Sequence, residues 1–162
     1  MMESKRKSDF ISVVIPCYNA SRYIQDCLDG LARQTYQQFE VIIVDDGSTD
    51  QSEETVKQWM EQHSPFFSIM YIKLPRNIGF AGAVTVGYFS SIGEYIAVHD
   101  ADDISHPERL EKQLSFLREH PNIALVGTKY AFFPDGHFER QTPANWLAYG
   151  SDNIRRVYAQ GK

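Results

Sequence analysis

Cysteine is nearly missing from this chain. Among 162 residues only Cys17 and Cys27 occur, and neither belongs to a CxxC or a Cys/His cluster. A disulfide framework and a structural zinc site therefore lack their ligands, and a reducing compartment is the simplest expectation. Positive charge is also in deficit: 16 Lys and Arg stand against 21 Asp and Glu, for a net charge of -5. That removes the electrostatic footprint of a non-specific nucleic-acid binder, so no nucleic-acid partner is expected and any phosphate must be handled locally. Long apolar runs are absent too. No stretch approaches the ~18 apolar residues of a membrane span, and Phe10 to Pro16 is too short for a signal-peptide core, so no transmembrane segment is expected. The five histidines, at 63, 99, 106, 120 and 137, form no HExxH or HxH pair, which leaves zinc catalysis without support; His99 and His106 read as helpers or surface residues.

Hydrophobic residues make up 43% and aromatics 13%, proportions of a chain that buries a core rather than of a disordered one. Five short β-branched runs stand out: Ile11 to Ile15, Val41 to Val44, Ile69 to Ile72, Tyr95 to Val98 and Ile123 to Val126. Their continuity suits strands buried on both faces. Helical segments separate them. Ser21 to Gln34 carries Tyr23, Ile24, Cys27, Leu28 and Leu31 on one face. Asp50 to Gln62 follows a Ser48-x-x-Gln51 capping signature, and Gly79 to Ser91 is rich in Gly and Ala, so its backbone can lie close to a sheet or a ligand. The fourth helix opens at Ser105-His-Pro-Glu108, a capping box, and stops at Pro121.

This alternation predicts an α/β fold: a Rossmann-like, mostly parallel sheet with helices on both faces. Beyond it, Tyr130 to Phe138 reads as a hairpin around Pro134-Asp135-Gly136, and Ser151 to Gln160 as a final helix. No linker or repeat marks a boundary. A flexible N-terminus over residues 1–9 and a single domain over 10–162 are expected.

In an open parallel sheet, ligands bind beyond the carboxyl ends of the strands. There stand Pro16-Cys-Tyr-Asn-Ala20, Asp45-Asp-Gly-Ser-Thr-Asp50 and His99-Asp-Ala-Asp-Asp103. Neither GxGxxG in the first turn nor GxxxxGK[ST] anywhere is present, so the dinucleotide fingerprint and the P-loop are both lacking. Asp100, Asp102 and Asp103 would repel one another unless a cation or hydrogen bonds offset the charge. Mg²⁺ or Mn²⁺, completed by phosphate and water, suits such oxygen ligands. A solvated acidic turn capping the next helix is the plainer alternative, and the strand-end position favours the ion. Asp100, Asp102 and Glu111 match three positions of a calcium loop, but Ile104 and Ser105 stand where a ligand and the turning glycine belong. Asp46 can accept from an imide N–H or a ribose hydroxyl, and Tyr18 offers a face for a base. Arg76 suits a diphosphate or a base, whereas Asn77 and Gly79 read equally well as loop and helix-start residues. A phosphatase-like hydrolase with Asp100 as nucleophile is a minor alternative, although its Asp-x-Asp belongs after the first strand.

Four blocks carry a resemblance: Ser12-Val-Val-Ile-Pro-Cys-Tyr-Asn-Ala20; Gln34-Thr35 ahead of Phe39-Glu-Val-Ile-Ile-Val-Asp-Asp-Gly-Ser-Thr-Asp50; Arg76-Asn-x-Gly79; and Gly93-Glu-Tyr-Ile-x-x-x-Asp-Ala-Asp-Asp103. In order and spacing they resemble family 2 glycosyltransferases. The resemblance implies a GT-A fold and metal-dependent transfer of a sugar, with inversion, from a nucleotide-diphosphate donor, in the first place a UDP-sugar. The acceptor it implies is a glycan or a lipid-linked glycan, as in cell-wall or polysaccharide biosynthesis. By that resemblance Pro16 and Tyr18 line the nucleotide, Asp46 contacts the base, and Arg76, Asn77 and Gly79 sit near the nucleotide. Asp100 lies toward the ribose or sugar, and Asp102 of the DxD motif acts through the Mg²⁺ or Mn²⁺ it binds. A cytoplasmic protein, peripheral to the inner face of the membrane, is implied by analogy. The family's general base lies downstream in an ED-type motif, yet no Glu-Asp pair follows position 127. Asp135, Glu139 and Asp152 are the later acidic residues, and none is assigned as base. The expectation is a donor-binding part truncated at its C-terminus, with a nucleotide-sugar-binding module lacking transfer activity as the alternative.

Overall fold

The computed structural model describes residues 6–63 and 65–128, with the backbone alone of 131–132 and 142–143. Four of the five apolar runs become strands: β1 (Lys7–Cys17), β2 (Phe39–Asp45), β3 (Ile69–Lys73) and β4 (Gly93–Val98). The segments between them form α1 (Ile24–Ala32), α2 (Ser52–Gln62) and α3 (Phe80–Ser90), and α4 (Arg109–Glu119) follows β4. Every pairing in this sheet is parallel and the order is β3-β2-β1-β4. The chain thus steps outward from β1 to β3 and returns to the other side of β1. Connections leaving β1 and β4 diverge at that reversal, which opens a crevice beyond their carboxyl ends.

Successive side chains of a strand point to opposite faces. Val13, Ile15, Val41 and Ile43 enter a core closed by Ile24, Leu28 and Leu31 of α1, Val56 and Trp59 of α2, and Leu110 and Leu114 of α4. Ile42 and Val44 pack in a second cluster, with Ala83 of α3. Helices therefore cover both faces, as strands this apolar require. The approach of α3 is close: a Cβ on Gly87 would stand 2.3 Å from Cγ1 of Val14, which is what the small residues of this helix permit.

Three boundaries differ from the sequence reading. Residues 7–9, assigned to a flexible N-terminus, belong to β1, where Lys7 pairs with Gly93. Ile123 to Val126 forms no strand, and Leu125 is 88% exposed; four consecutive apolar residues carry no periodicity that separates strand from loop. The Ser105 capping box does not cap α4 either. Ser105 Oγ accepts from Arg109 Nη1 at 3.0 Å, and the amide of Leu110 donates to Gln34 Oε1 at 3.1 Å.

By their contacts the residues fall into two compact units, Met1–Phe116 and Leu117–Lys162. In the second, β5 (Ala131–Phe132) pairs antiparallel with β6 (Thr142–Pro143), so the return strand comes later than a tight hairpin within 130–138 would put it. The Pro134-Asp135-Gly136 turn, the helix expected over 151–160 and the acidic residues Asp135, Glu139 and Asp152 lie outside the described residues. Among the described residues no helix is long and apolar enough to cross a membrane.

Candidate active site at the ends of β1 and β4

Beyond the carboxyl ends of β1 and β4 lies a cavity of about 230 Å³, whose lining includes Pro16, Tyr18, Tyr23, Phe80, Asp100 and Asp102. Pro16, Tyr18, Asp100 and Asp102, singled out from the sequence at two separate strand ends, therefore meet in one hollow. Tyr18 and Phe80 present largely exposed rings, and the carboxylate residues Asp100 and Asp102 are also exposed. Tyr23 and Phe80 were not foreseen as site residues. Their signal was available only for Phe80, a large aromatic at the first position of a helix.

The loop carrying Tyr18 is held by its neighbour across the sheet. Asn19 takes a left-handed backbone, φ 51°, a conformation that Asn tolerates better than most residues. Its amide donates to Ser48 Oγ at 3.0 Å and its side-chain oxygen accepts the amide of Thr49 at 2.9 Å. The next two amides, of Ala20 and Ser21, donate to Ser52 Oγ at 2.9 Å and Asp50 Oδ2 at 3.0 Å. Ser48 and Gln51, read as a cap for α2, make no such cap: Gln51 is the N-cap residue without a side-chain bond, because the Ser48 hydroxyl is turned to Asn19. Burial acts to raise the Asp50 carboxyl, but hydrogen bonds from Ser52 and Ser21 outweigh it and hold the group at about 2.

Asp45 and Asp46 divide their work. Asp45 is wholly buried, accepting the amide of Ser48 at 2.7 Å and the Tyr71 hydroxyl at 2.7 Å. Burial and this carboxylate together push the Tyr71 phenol well above its usual range. Asp46 accepts the amides of Ile78 at 2.7 Å and Gly79 at 2.8 Å, immediately before α3. Gly47, with φ 72°, lets the 76–77 backbone pass: a Cβ there would lie 2.8 Å from it. Asp46, Arg76, Asn77 and Gly79 thus form a second group, outside the cavity lining and joined to it through Phe80, the residue after Gly79. Arg76 is exposed.

The Asp100–Asp103 segment is a turn closed by the Asp103 amide on the Asp100 carbonyl at 3.2 Å. Ala101 is 6% exposed and belongs to the core, which leaves the flanking carboxylates on the outer side. Burial and the neighbouring Asp102 raise the Asp100 carboxyl, and burial with Asp100 and Asp102 raises that of Asp103. Arg109 opposes both shifts, its guanidinium donating to the Val98 carbonyl at 2.9 Å. His99, expected as a helper or surface residue, is buried, and burial with the nearby Arg109 lowers it to about 4. Gln34, the first residue of the Gln34-Thr35 pair, carries no local signal of a structural role. Its Nε2 donates to the His106 carbonyl at 2.8 Å while its Oε1 receives Leu110, so one carboxamide ties α1 to the start of α4.

A parallel α/β sheet with an aromatic and acidic hollow at its reversal point defines a nucleotide-handling class of fold, and the solved structures similar to it are GT-A glycosyltransferases. The chain belongs to the family described as Glycosyl transferase family 2, whose profile matches residues 12–161. It is 35% identical over 132 residues to glycosyltransferase GlyG of Streptococcus pneumoniae, covering 81% of this chain and 43% of that protein. Putative glycosyltransferase EpsE of Bacillus subtilis is 32% identical over 125 residues, covering 77% and 44%. The chain therefore spans less than half the length of these curated relatives. Among solved structures, TarS 1-349 of S. aureus in complex with UDP matches with a TM-score of 0.62 and 31% identity, over 69% of this chain and 33% of that one. Mannosyltransferase PcManGT of Pyrobaculum calidifontis, in complex with GDP-Man and Mn2+, matches with a TM-score of 0.63 and 28% identity, over 66% and 32%.

Proposed function

We propose that this chain binds a nucleoside-diphosphate sugar, in the first place a UDP-sugar, together with Mg²⁺ or Mn²⁺. In this reading it is the donor-binding part of an enzyme that transfers the sugar with inversion to a glycan or lipid-linked acceptor. The observation that carries the reading is the single hollow in which Tyr18 and the Asp100–Asp102 turn meet. Support also comes from similar solved structures that hold UDP, UDP-GlcNAc, or GDP-Man and Mn2+.

The residues fit a hard cation. Among the described residues no three His, Cys, Asp or Glu side chains gather as a closed metal cage, and neither thiol nor imidazole lines the hollow. What it offers is two carboxylates, of which Asp100 is raised by burial and by the neighbouring Asp102, the arrangement of a site that takes most of its ligands from phosphate and water. Asp102 would hold the ion with Asp100 beside it. Once bound, such an ion offsets the negative charge that develops on the departing diphosphate. The chain's own groups do the rest. Tyr18 stacks the base, Tyr23 and Phe80 wall it from water, and Arg76 stands on the neighbouring loop within the class of groups that pair with diphosphate. Asp46 holds that loop against the strand end.

Calorimetric titration with UDP, with and without Mn²⁺, tests the reading. Saturable binding that the metal tightens by about tenfold or more is expected; absence of binding, or binding indifferent to metal, overturns it. Because the chain spans only 43% of GlyG, a second reading is a nucleotide-sugar-binding module without transfer. Sugar transfer or donor hydrolysis by this chain excludes that module.

A further inference from the structure

We infer that His99 is a positioning residue for the Asp100–Asp102 turn, acting through the main-chain carbonyl of Asp100; its consequence for binding rests on the donor-binding reading above. Three donors converge on that carbonyl oxygen: His99 Nδ1 at 2.8 Å, the Asp103 amide at 3.2 Å and Cys27 Sγ at 3.8 Å. A carbonyl only accepts, so Nδ1 carries the proton. The main chain of His99 is tied to the sheet as well, because its amide donates to the Val14 carbonyl of β1 at 3.0 Å. The sheet therefore reaches through one imidazole to the first residue of the acidic turn.

The far side of the same ring explains why packing alone does not account for histidine here. His99 is 4% exposed, and its Nε2 is buried without a hydrogen-bond partner among the described residues. An unpaired buried polar atom destabilises a fold, and an apolar side chain of similar size avoids that cost. Leucine would serve the core better, yet leucine has nothing to donate to Asp100. The orphaned nitrogen is tolerated because the opposite nitrogen makes a bond that no apolar residue makes. Of the remaining ties on that carbonyl, the thiol contact is weak and the Asp103 amide belongs to the turn itself. Ala101 is already committed to the core, so the angle at which Asp100 and Asp102 leave the turn depends on how the Asp100 peptide is held. Partners of this kind, one step removed from a bound ion, set the orientation of its ligands.

The test compares His99→Leu, His99→Asn and His99→Gln in the 162-residue chain. Asparagine places an N–H near the Nδ1 position, whereas glutamine places it near Nε2. His99→Leu is expected to melt at or above the wild-type temperature while the Asp103 amide exchanges roughly tenfold faster. Its affinity for UDP in the presence of Mn²⁺ falls by about tenfold, with metal-free affinity unchanged. His99→Asn restores both exchange and affinity, and His99→Gln does not. Nitrogen chemical shifts of wild-type His99 report the proton on Nδ1. Unchanged Asp103 exchange in His99→Leu, equal behaviour of the Asn and Gln variants, or a proton on Nε2 overturns the inference. If the exchange pattern holds while wild-type protein binds no UDP with Mn²⁺, the donor-binding reading fails and the hold on the turn stands.

Discussion

The carboxylate of Asp46 accepts the amide of Gly79 at 2.8 Å, and beside it that of Ile78 at 2.7 Å, so the end of β2 is fastened to the two residues that lead into α3. Amides ahead of a helix have no partner within it, and a buried carboxylate is among the strongest acceptors they can find. Phe80, next in the chain, enters the hollow from this fixed point.

Asp46→Ala removes both bonds and is expected to lower the unfolding free energy by about 2 kcal/mol, since hydrogen bonds to charged groups contribute roughly 1.5–3 kcal/mol each and water replaces part of what is lost. Urea denaturation measures it, and an unshifted midpoint would mean the carboxylate fastens nothing. If Asp46 also contacts the base, the preference for UDP over other nucleoside diphosphates narrows in the same variant.

Asp102 is exposed, and its carboxylate accepts no hydrogen bond from other described residues. Asp102→Asn is therefore expected to leave thermal unfolding within about 0.5 kcal/mol of wild type, as surface substitutions do. UDP affinity in Mn²⁺ should drop by about tenfold or more, because the neutral amide is a poor ligand for a hard cation. Equal affinity of the two proteins in calorimetry would count against Asp102 as the ligand.

Hydrogen bonds from Ser52 and Ser21 hold Asp50 at about 2 against an ordinary 3.8. A carboxyl lowered on folding stabilises the native state above its unfolded pKa and loses that contribution as pH falls through the folded one. The stability difference between wild type and Asp50→Asn should thus be constant near neutral pH and shrink between pH 3.8 and about 2. Chemical denaturation at stepped pH reads it, and a difference that stays flat through this window would show that Asp50 is not lowered.

Gly87 faces Val14 so closely that a Cβ would sit 2.3 Å from its Cγ1. Gly87→Ala gains helix propensity but forces α3 off the sheet, and overpacking of this kind costs about 1–3 kcal/mol. A lowered denaturation midpoint is expected; a raised one would mean that α3 moves without penalty.

Much of the site was readable because it obeys simple rules. Pro16, Tyr18, Asp100 and Asp102 stand directly after β-branched runs, and in a parallel sheet such positions share one rim. Other residues hid because their partners are distant. Ser48 looks like a helix cap from its neighbours, yet its hydroxyl goes to Asn19, on another loop. Glutamine at 34 and histidine at 99 have no distinctive local signature, and their meaning comes from the carbonyls and amides they meet at His106, Leu110 and Asp100. Ile123 to Val126 has the composition of a strand without its pairing.

Local chemistry, then, was enough for the alternation of strands and helices, the burial of both sheet faces and the family, because periodicity, punctuation and motif spacing are properties of neighbouring residues. The order β3-β2-β1-β4, and with it the hollow shared by Tyr18 and Asp102, was decided only in three dimensions. Strand pairing must satisfy every backbone group and cover two apolar faces at once, and no single segment carries that condition.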